Sequence, residues 1–410
     1  MWMLLYCSSH QDSSSLDSMC NVLADCFNIQ MSKQSLDERF TKPCLAFVKS
    51  VLSEALKDQF QRTGMYKGDF WNHFPRVIIK DSTKFKVPDN MYKDYRGNGG
   101  SKAGICIQYE YNLATNEILN LEVGSGGCND RTNAVKTCDQ AKTGDLILRD
   151  LGYYSLEVFD TFRHNGVFFL SRLYSKTCVY EDTEGVCPMV DFKKIHKQMS
   201  GQNISQMEMK VTLGATYRVP VRMILSLVDE QVYQKRIRER EKENRKRGRQ
   251  MSQEVRLRFR FNIYITNAPE ELLPIEQVFL AYRLRWQIEL IFKCWKSLYK
   301  IHWGRNMKQN RYLCMLYAKL LLIVINLQIT SGLQLDIYKI GKDGNKLFLS
   351  TYKVLNTLRK YFTCLYFVLT EKGNNAKAAL LFLQQKMSQN HWLEKKKNKQ
   401  TNEIINRIMF

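Results

Sequence analysis

Two short apolar runs in this chain each stop on an aspartate, and that pattern limits the available folds more than any other feature. Residues 76–80 carry the β-branched Val77, Ile78 and Ile79 and give way to Asp81-Ser82-Thr83. Residues 144–149 form a second such run and give way to Asp150. Between them, residues 104–112 and 117–124 alternate around a polar turn at 113–116, which predicts a hairpin. A helix is expected near 130–140 and another over 155–163, after which 166–173 (GVFFLSRL) returns as a strand. Strands alternating with helices predict an α/β core. Because open α/β sheets present ligand-binding groups at the carboxyl ends of their strands, the two aspartates are candidate site residues.

The flanks differ in character. Residues 15–26 and 32–40 predict two short helices joined by a turn, which fits a helix-turn-helix or a plain helical cap equally well. A longer amphipathic helix is predicted over 44–60, with Phe47, Val51, Leu52, Ala55 and Leu56 at helical spacing. From 175 to 257 short β-like segments (210–217, 221–228) surround polar turns without a strong helical pattern. Residues 235–249 hold nine basic and three acidic side chains. Such a run is a solvated helix face, a flexible loop or a phosphate contact. This stretch reads as a β-rich insertion with a basic loop, and 259–266 (FRFNIYIT) resumes the core as a strand. Helices are predicted over 312–328 and 353–370, with a loosely ordered Lys- and Asn-rich tail from 395. The expected organisation is a helical N-terminal region over 1–70 that is a possible DNA-binding module, core over 71–174, insertion over 175–257, the rest of the core over 258–304, and a helical, basic C-terminal region over 305–410.

Charge narrows the function. Lys and Arg number 62 against 40 Asp and Glu, a net charge of +22, which draws polyanions and makes nucleic acid the first candidate partner. The 12 cysteines include no CxxC pair and no zinc-finger spacing, so a reducing compartment without structural zinc is expected. Residues 1–7 are apolar but lack a basic start, unlike a signal peptide. The apolar heart of the best membrane candidate, 320–325, is far shorter than the roughly 20 residues that span a bilayer. A cytoplasmic protein is expected.

Pro274 opens a helix that is predicted to run toward Gly304. At 3.6 residues per turn, with Tyr282 at zero, Arg285 falls near ~300°, Glu289 near ~340° and Lys296 near ~320°. Lys293 and Lys300 fall close by, whereas Leu284, Ile288, Ile291, Trp295 and Leu298 cluster around ~200°. The helix thus carries an apolar stripe and, apart from it, one acid among cations and a tyrosine. Arg285 and Lys293, four residues either side of Glu289, also fit a salt-bridge ladder. Two strands that end on acids favour a third acid as their partner. Phosphodiester chemistry gathers negative charge on the attacking and leaving oxygens, which two divalent cations can stabilise. Hard cations such as Mg²⁺ take oxygen ligands, so carboxylates suit them.

Tyr282, Arg285, Glu289 and Lys296 match the signature Y-x2-R-x3-E-x6-K, and the chain resembles the insertion-sequence-four family of bacterial transposases. RVIIKDST and GDLILRDLGYYS resemble that family's two aspartate blocks, and the likeness covers roughly 32–304. The resemblance implies a ribonuclease-H-like mixed sheet flanked by helices, with a β-rich insertion between the second Asp and the Glu. It implies catalysis by Asp81, Asp150 and Glu289 with two Mg²⁺ or Mn²⁺ ions. It further implies that Tyr282, Arg285 and Lys296 hold the DNA backbone near the cut, in a homodimer on double-stranded DNA, in the bacterial nucleoid. Less sequence precedes the 32–34 region than the family pattern implies; a shortened DNA-reading module would put recognition of the element's ends in doubt while leaving the catalytic core. Of the other acids, Asp145 begins its strand whereas Asp150 ends it, Asp130 is expected to cap a helix, and Asp160 to be exposed. The six histidines show no ligand spacing. A cut-and-paste transposase is one reading. A DNA-binding remnant or repressor without catalysis is the other, with a structure-specific nuclease as a third.

Overall fold

The computed structural model describes residues 1–10, 15–59, 69–182, 187–304, 306–336, 339–340, 346–347, 349–370 and 373–392. Helices α1 (Trp2–Ser9), α2 (Leu16–Phe27), α3 (Lys33–Glu38) and α4 (Lys42–Lys57) come first. The side chains of Ser15, Ser32 and Thr41 accept hydrogen bonds from backbone amides three residues on, which is why α2, α3 and α4 start there. Asn28 ends α2 in the left-handed conformation (φ 52°). Their apolar residues, among them Met19, Val22, Leu36, Val48 and Leu52, join the main core. A short helix α5 (Asp69–His73) leads into the sheet.

The core then runs β1 (Val77–Lys86), β2 (Gly104–Asn112), β3 (Ile118–Ser125), α6 (Asp130–Lys136), β4 (Leu146–Arg149), α7 (Leu156–His164) and β5 (Phe168–Arg172). β1, β4 and β5 pair in parallel, while β1–β2 and β2–β3 are antiparallel. The parallel strands read as continuous apolar runs because both of their faces are covered. Val77, Ile79, Leu146, Leu148 and Leu170 face one core cluster, and Ile78, Ile147 and Phe169 face the other. This mixed sheet with helices on both faces is the expected ribonuclease-H-like core. β1 differs from expectation in one respect. It does not stop at Asp81 but continues to Lys86, because β2 goes on pairing with it after β4 has left.

Next come β6 (Val179–Glu181), α8 (Phe192–Gly201), β7 (Gln206–Leu213), β8 (Val219–Leu227), α9 (Glu230–Lys246), α10 (Gln253–Arg258) and β9 (Phe261–Thr266). The sheet has nine strands in the order β3-β2-β1-β4-β5-β9-β8-β7-β6. The insertion's strands therefore extend the core sheet through β9, which pairs antiparallel with β5. The segment expected to lack helices holds three, and the basic run is helical. Helix α9 buries Ile237 alone, so little apolar periodicity marked it, whereas α8 buries Phe192, Ile195 and Met199 at helical spacing, a signal that was overlooked.

Helices α11 (Ile275–Leu284) and α12 (Trp286–Ser297) replace the single expected helix. The ladder tightens at Arg285, whose amide bonds the carbonyl of Tyr282, three residues back, at 3.1 Å. α12 stops at Ser297 and the chain turns at Lys300 (φ 46°), before Gly304. Gly304 answers a different need, since a Cβ there would lie 2.1 Å from the Tyr312 ring. Helix α13 (Gln309–Asp336) is long and apolar enough to cross a membrane by composition, yet 67% of its most apolar stretch is buried by protein. It packs against α1 and α4 as a core helix. Helices α14 (Thr351–Lys360), α15 (Phe362–Thr370) and α16 (Asn374–Asn390) follow, the last not foreseen. The tail expected from 395 lies outside the described residues.

Candidate active site

Register places the two aspartates side by side. Lys80 pairs with Arg149 across the parallel β1–β4 ladder, so the next residues on each strand are Asp81 and Asp150. Asp81 pairs with Tyr109 on β2. Leu148 pairs with Leu170, which two residues further puts Arg172 beside Asp150, and Arg172 pairs with Tyr264 on β9. One face of the sheet thus presents the row Tyr109, Asp81, Asp150, Arg172 and Tyr264. Asp150 also begins a tight turn, its carbonyl accepting from the Tyr153 amide at 3.0 Å.

Glu289 reaches this row from α12. The edge of Trp295, fully buried, meets the Tyr109 ring at 4.9 Å, and Phe292 packs beside both. Those aromatic contacts fix the rotation of α12 and leave Glu289, one turn earlier, facing Asp81. Asp81, Ser82, Thr83, Glu289, Lys293, Lys296 and His302 line one open cleft. The sequence left His302 without a role. Its pKa is lowered, first by burial and then by Lys296 and its neighbours.

Arg285 lies between the acids. Its guanidinium donates to Glu289 Oε1 at 2.8 Å and stands 3.8 Å from Asp81 Oδ2. Burial opposes its charge, but Tyr282, Asp150 and Glu289 outweigh burial and raise its pKa. Asp81 accepts the Ser82 amide at 2.8 Å. Its pKa is pushed up to about 6, first by burial, with Asp150 and Glu289 adding repulsion against the pull of Ser82 and Arg285. Tyr282 is only 7% exposed, its ring edge on Tyr264 at 4.9 Å and its hydroxyl without a hydrogen-bond partner among the described residues. Burial pushes its pKa up to about 12. Lys296 is half-buried in the cleft, which lowers its pKa. The structure therefore gathers Asp81, Asp150, Glu289 and Arg285, sets Lys296 at the cleft wall, and tucks Tyr282 into the core behind them.

Beneath the acid row lies a second polar layer that the sequence did not reveal. Glu110, 3.5 Å from Lys80 and 3.6 Å from Arg149, bridges the residues that precede the two aspartates. Lys80 is fully buried and donates to Thr137 at 2.6 Å. Asp130 does not cap a helix, since Asn129 does so. It instead accepts from Ser82 (2.9 Å) and Gln108 (3.0 Å), and Tyr153 donates to Gln108 at 2.5 Å. Asp145 is buried in a pair with Arg76 at the start of β4, away from the site, and Asp160 pairs with Arg163 at 3.0 Å. Arg172 was also missed. Only the β4–β5 register shows that it adjoins Asp150, although GVFFLSRL placed it at a strand end.

Among the described residues no three His, Cys, Asp or Glu side chains converge closely enough to ligate one ion. The donor set nonetheless suits a hard divalent cation. Asp81 and Glu289 line one cleft, Asp150 lies beside Asp81 on the neighbouring strand, and the repulsion among the three helps raise the Asp81 pKa.

An acid-bearing cleft at the limit of parallel pairing, on this sheet, defines a ribonuclease-H-like protein. The chain belongs to the DDE transposase family, for the transposase DDE domain model matches residues 72–327. It is 32% identical over 378 residues to the transposase for insertion sequence element IS231B of Bacillus thuringiensis subsp. berliner, covering 88% of this chain and 78% of that protein. It is 33% identical over 381 residues to the IS231C transposase of the same organism, with the same coverage. With the transposase for IS1151 of Clostridium perfringens it shares 30% over 360 residues, covering 83% and 74% of the two chains. The family resemblance drawn from the Y-x2-R-x3-E-x6-K spacing therefore holds.

Proposed function

We propose that the protein is a metal-dependent transposase that hydrolyses phosphodiester bonds at transposon ends and transfers the freed 3′-hydroxyl into target DNA. The observation that supports this reading is that Asp81 and Glu289 share one cleft, with Arg285 between them and Asp150 beside Asp81. Asp81, Asp150 and Glu289 would hold Mg²⁺ or Mn²⁺, two ions in all. Such ions supply charge neutralisation at the attacking and leaving oxygens and activate the nucleophile.

The remaining work belongs to the chain's own side chains. Arg285 neutralises Asp81 and Glu289 within the protein, and a backbone phosphate entering the cleft competes for the same guanidinium. Arg172, beside Asp150, and Lys293 and Lys296, on the cleft wall, add the positive field that holds a phosphate near the acids. Tyr282 supports Arg285 from behind, its ring centre 5.7 Å from the guanidinium carbon. Joining two transposon ends to one target needs two active sites, so the working species is a homodimer on double-stranded DNA. The setting is the bacterial cytoplasm, at the nucleoid.

The test is incubation of the protein with an end-bearing DNA fragment and Mg²⁺, wild type beside Glu289→Ala. Wild type is expected to nick or excise, and the variant to bind without cutting. Wild type that binds yet never cuts with any divalent metal would mark a DNA-binding remnant or repressor instead.

A further inference from the structure

Helix α9 carries a charge distribution that the reaction at the acids does not use. On a wheel with Arg238 at zero, Lys235, Lys242, Arg245 and Lys246 all fall within an arc of roughly 100°. The residues that face the protein, Tyr233, Ile237, Arg240 and Asn244, fall opposite, between about 200° and 260° on the same basis. All five stripe cations are exposed, and Arg247 and Arg249 continue the charge past the helix end. Among the described residues, Arg238, Lys242, Arg245 and Lys246 form no ion pair, and Lys235 reaches Glu239 only at 4.0 Å. The acids of α9 that make closer contacts serve other cations: Glu241 holds Arg256 (2.6 Å), Glu230 holds Arg260 (3.0 Å) and Glu243 holds Arg240 (3.1 Å). Like charges at i,i+4, such as Arg238–Lys242 and Lys242–Lys246, destabilise a bare helix. Attraction to the helix C-terminus accounts for Arg245 and Lys246 but not for Arg238 or Lys242.

The helix that carries the stripe is anchored to β9, the strand that pairs with β5 of the site. Arg236, on the same helix, donates to the carbonyl of Phe261 at 3.0 Å and to the side chain of Asn262 at 2.5 Å. Arg260 stacks on Tyr233, its guanidinium carbon 4.1 Å from the ring centre. Asn262 and Tyr264 alternate with the buried Ile263 and so share the sheet face of Arg172, Asp150 and Asp81. Three strand steps separate Asp81 from Tyr264, roughly 14 Å at the usual strand spacing. That is less than half a turn of B-form DNA, whose pitch is about 34 Å. Arg285, Arg172 and Arg236 gather around Tyr264 on this face, and the exposed stripe lies beyond them, its Arg238 about 160° round α9 from Arg236.

We infer that the exposed stripe Lys235, Arg238, Lys242, Arg245 and Lys246 docks the phosphate backbone of the same duplex whose strand is cut at the acids. This rests on the DNA-processing function proposed above. The test uses full-length protein with Arg238, Lys242, Arg245 and Lys246 all changed to Gln, positions that face solvent and leave the acid cleft untouched. Binding to an end-bearing duplex, without target DNA, is followed by fluorescence anisotropy across salt concentrations. The expected result is Kd at least ~10-fold weaker near 0.1 M salt and a log–log salt slope shallower by up to ~3.6, about 0.9 for each phosphate that is no longer neutralised. In wild type, the same duplex should protect Lys242 and Lys246 from amine acetylation, a readout that needs no variant. An unchanged slope together with unprotected lysines, in a protein that still cuts, overturns the stripe and leaves the transposase reading intact. Unchanged end binding and nicking, with loss only of joining to a target plasmid, also overturns it by moving the stripe to the target. Wild type that binds no DNA overturns both.

Discussion

At the scale of single residues, Asp81 is the informative group, because burial and two neighbouring acids set it against its own ionisation. Its folded pKa of about 6 lies above the ordinary 3.8, so the native protein binds this proton more tightly than the unfolded chain does. The stabilisation is present below about pH 4 and is lost as pH rises through about 6. Asp81→Asn, which cannot ionise, is therefore expected to match wild type near pH 4 and to exceed it above pH 6 by on the order of 2 kcal/mol in metal-free denaturant melts. A wild-type advantage at pH 7 would contradict this. Arg285→Ala leaves Glu289 and Asp81 without their shared cation. It should lower the midpoint of thermal unfolding and make the salt slope of DNA binding shallower by ~1. Unchanged binding and strand transfer would remove Arg285 from the site. The acids and Arg285 stood out in the sequence because apolar runs that give way to an acid and helix spacing are local patterns, although β1 continues past Asp81 to Lys86. Arg172, Glu110 and Asp130 were not, since their places depend on which strands neighbour each other.

At the scale of elements, α12 is positioned by aromatic packing more than by its charges. Trp295 and Phe292 seat the helix against Tyr109 of β2, the residue that pairs with Asp81. Trp295→Ala should cost about 3–5 kcal/mol, as large cavities in a core do. DNA cutting should fall more than DNA binding, since Glu289 loses its register while the cations stay exposed. Equal losses in both would assign Trp295 to stability alone. The apolar stripe containing Trp295 was plain from its period, and so was the separate stripe containing Glu289. The interruption at Arg285 was not, because a tightened turn leaves the hydrophobic period almost unchanged. Helix α9 was invisible for the opposite reason, since it buries only Ile237 and lacks a period, whereas α8 does carry one in Phe192, Ile195 and Met199 that went unrecognised among the neighbouring lysines.

At the scale of the whole molecule, the insertion is part of the sheet that holds the acids. Arg222 on β8 is buried, bonds Glu208 of β7, and donates to the carbonyls of Ala268 (2.8 Å) and Leu273 (3.0 Å) at the approach to α11. It therefore joins the insertion to the helix pair that carries Glu289. Arg222→Ala strands Glu208 and two carbonyls and should cost about 3–5 kcal/mol, read as a lower denaturant midpoint; a change below ~1 kcal/mol would refute the tie. Sequence conveyed the α/β core and the presence of inserted strands, but strand order is a long-range property that no local pattern encodes. The central claim is that acids from β1, β4 and α12 form one metal site acting on DNA. Its most direct test is the rate of nicking an end-bearing duplex as a function of Mn²⁺ concentration, for wild type and for Asp81→Asn, Asp150→Asn and Glu289→Gln separately. Wild type is expected to nick in a Mn²⁺-dependent manner, and each single variant to lose nicking while it retains DNA binding. Wild-type rates in any one of the three would contradict the claim.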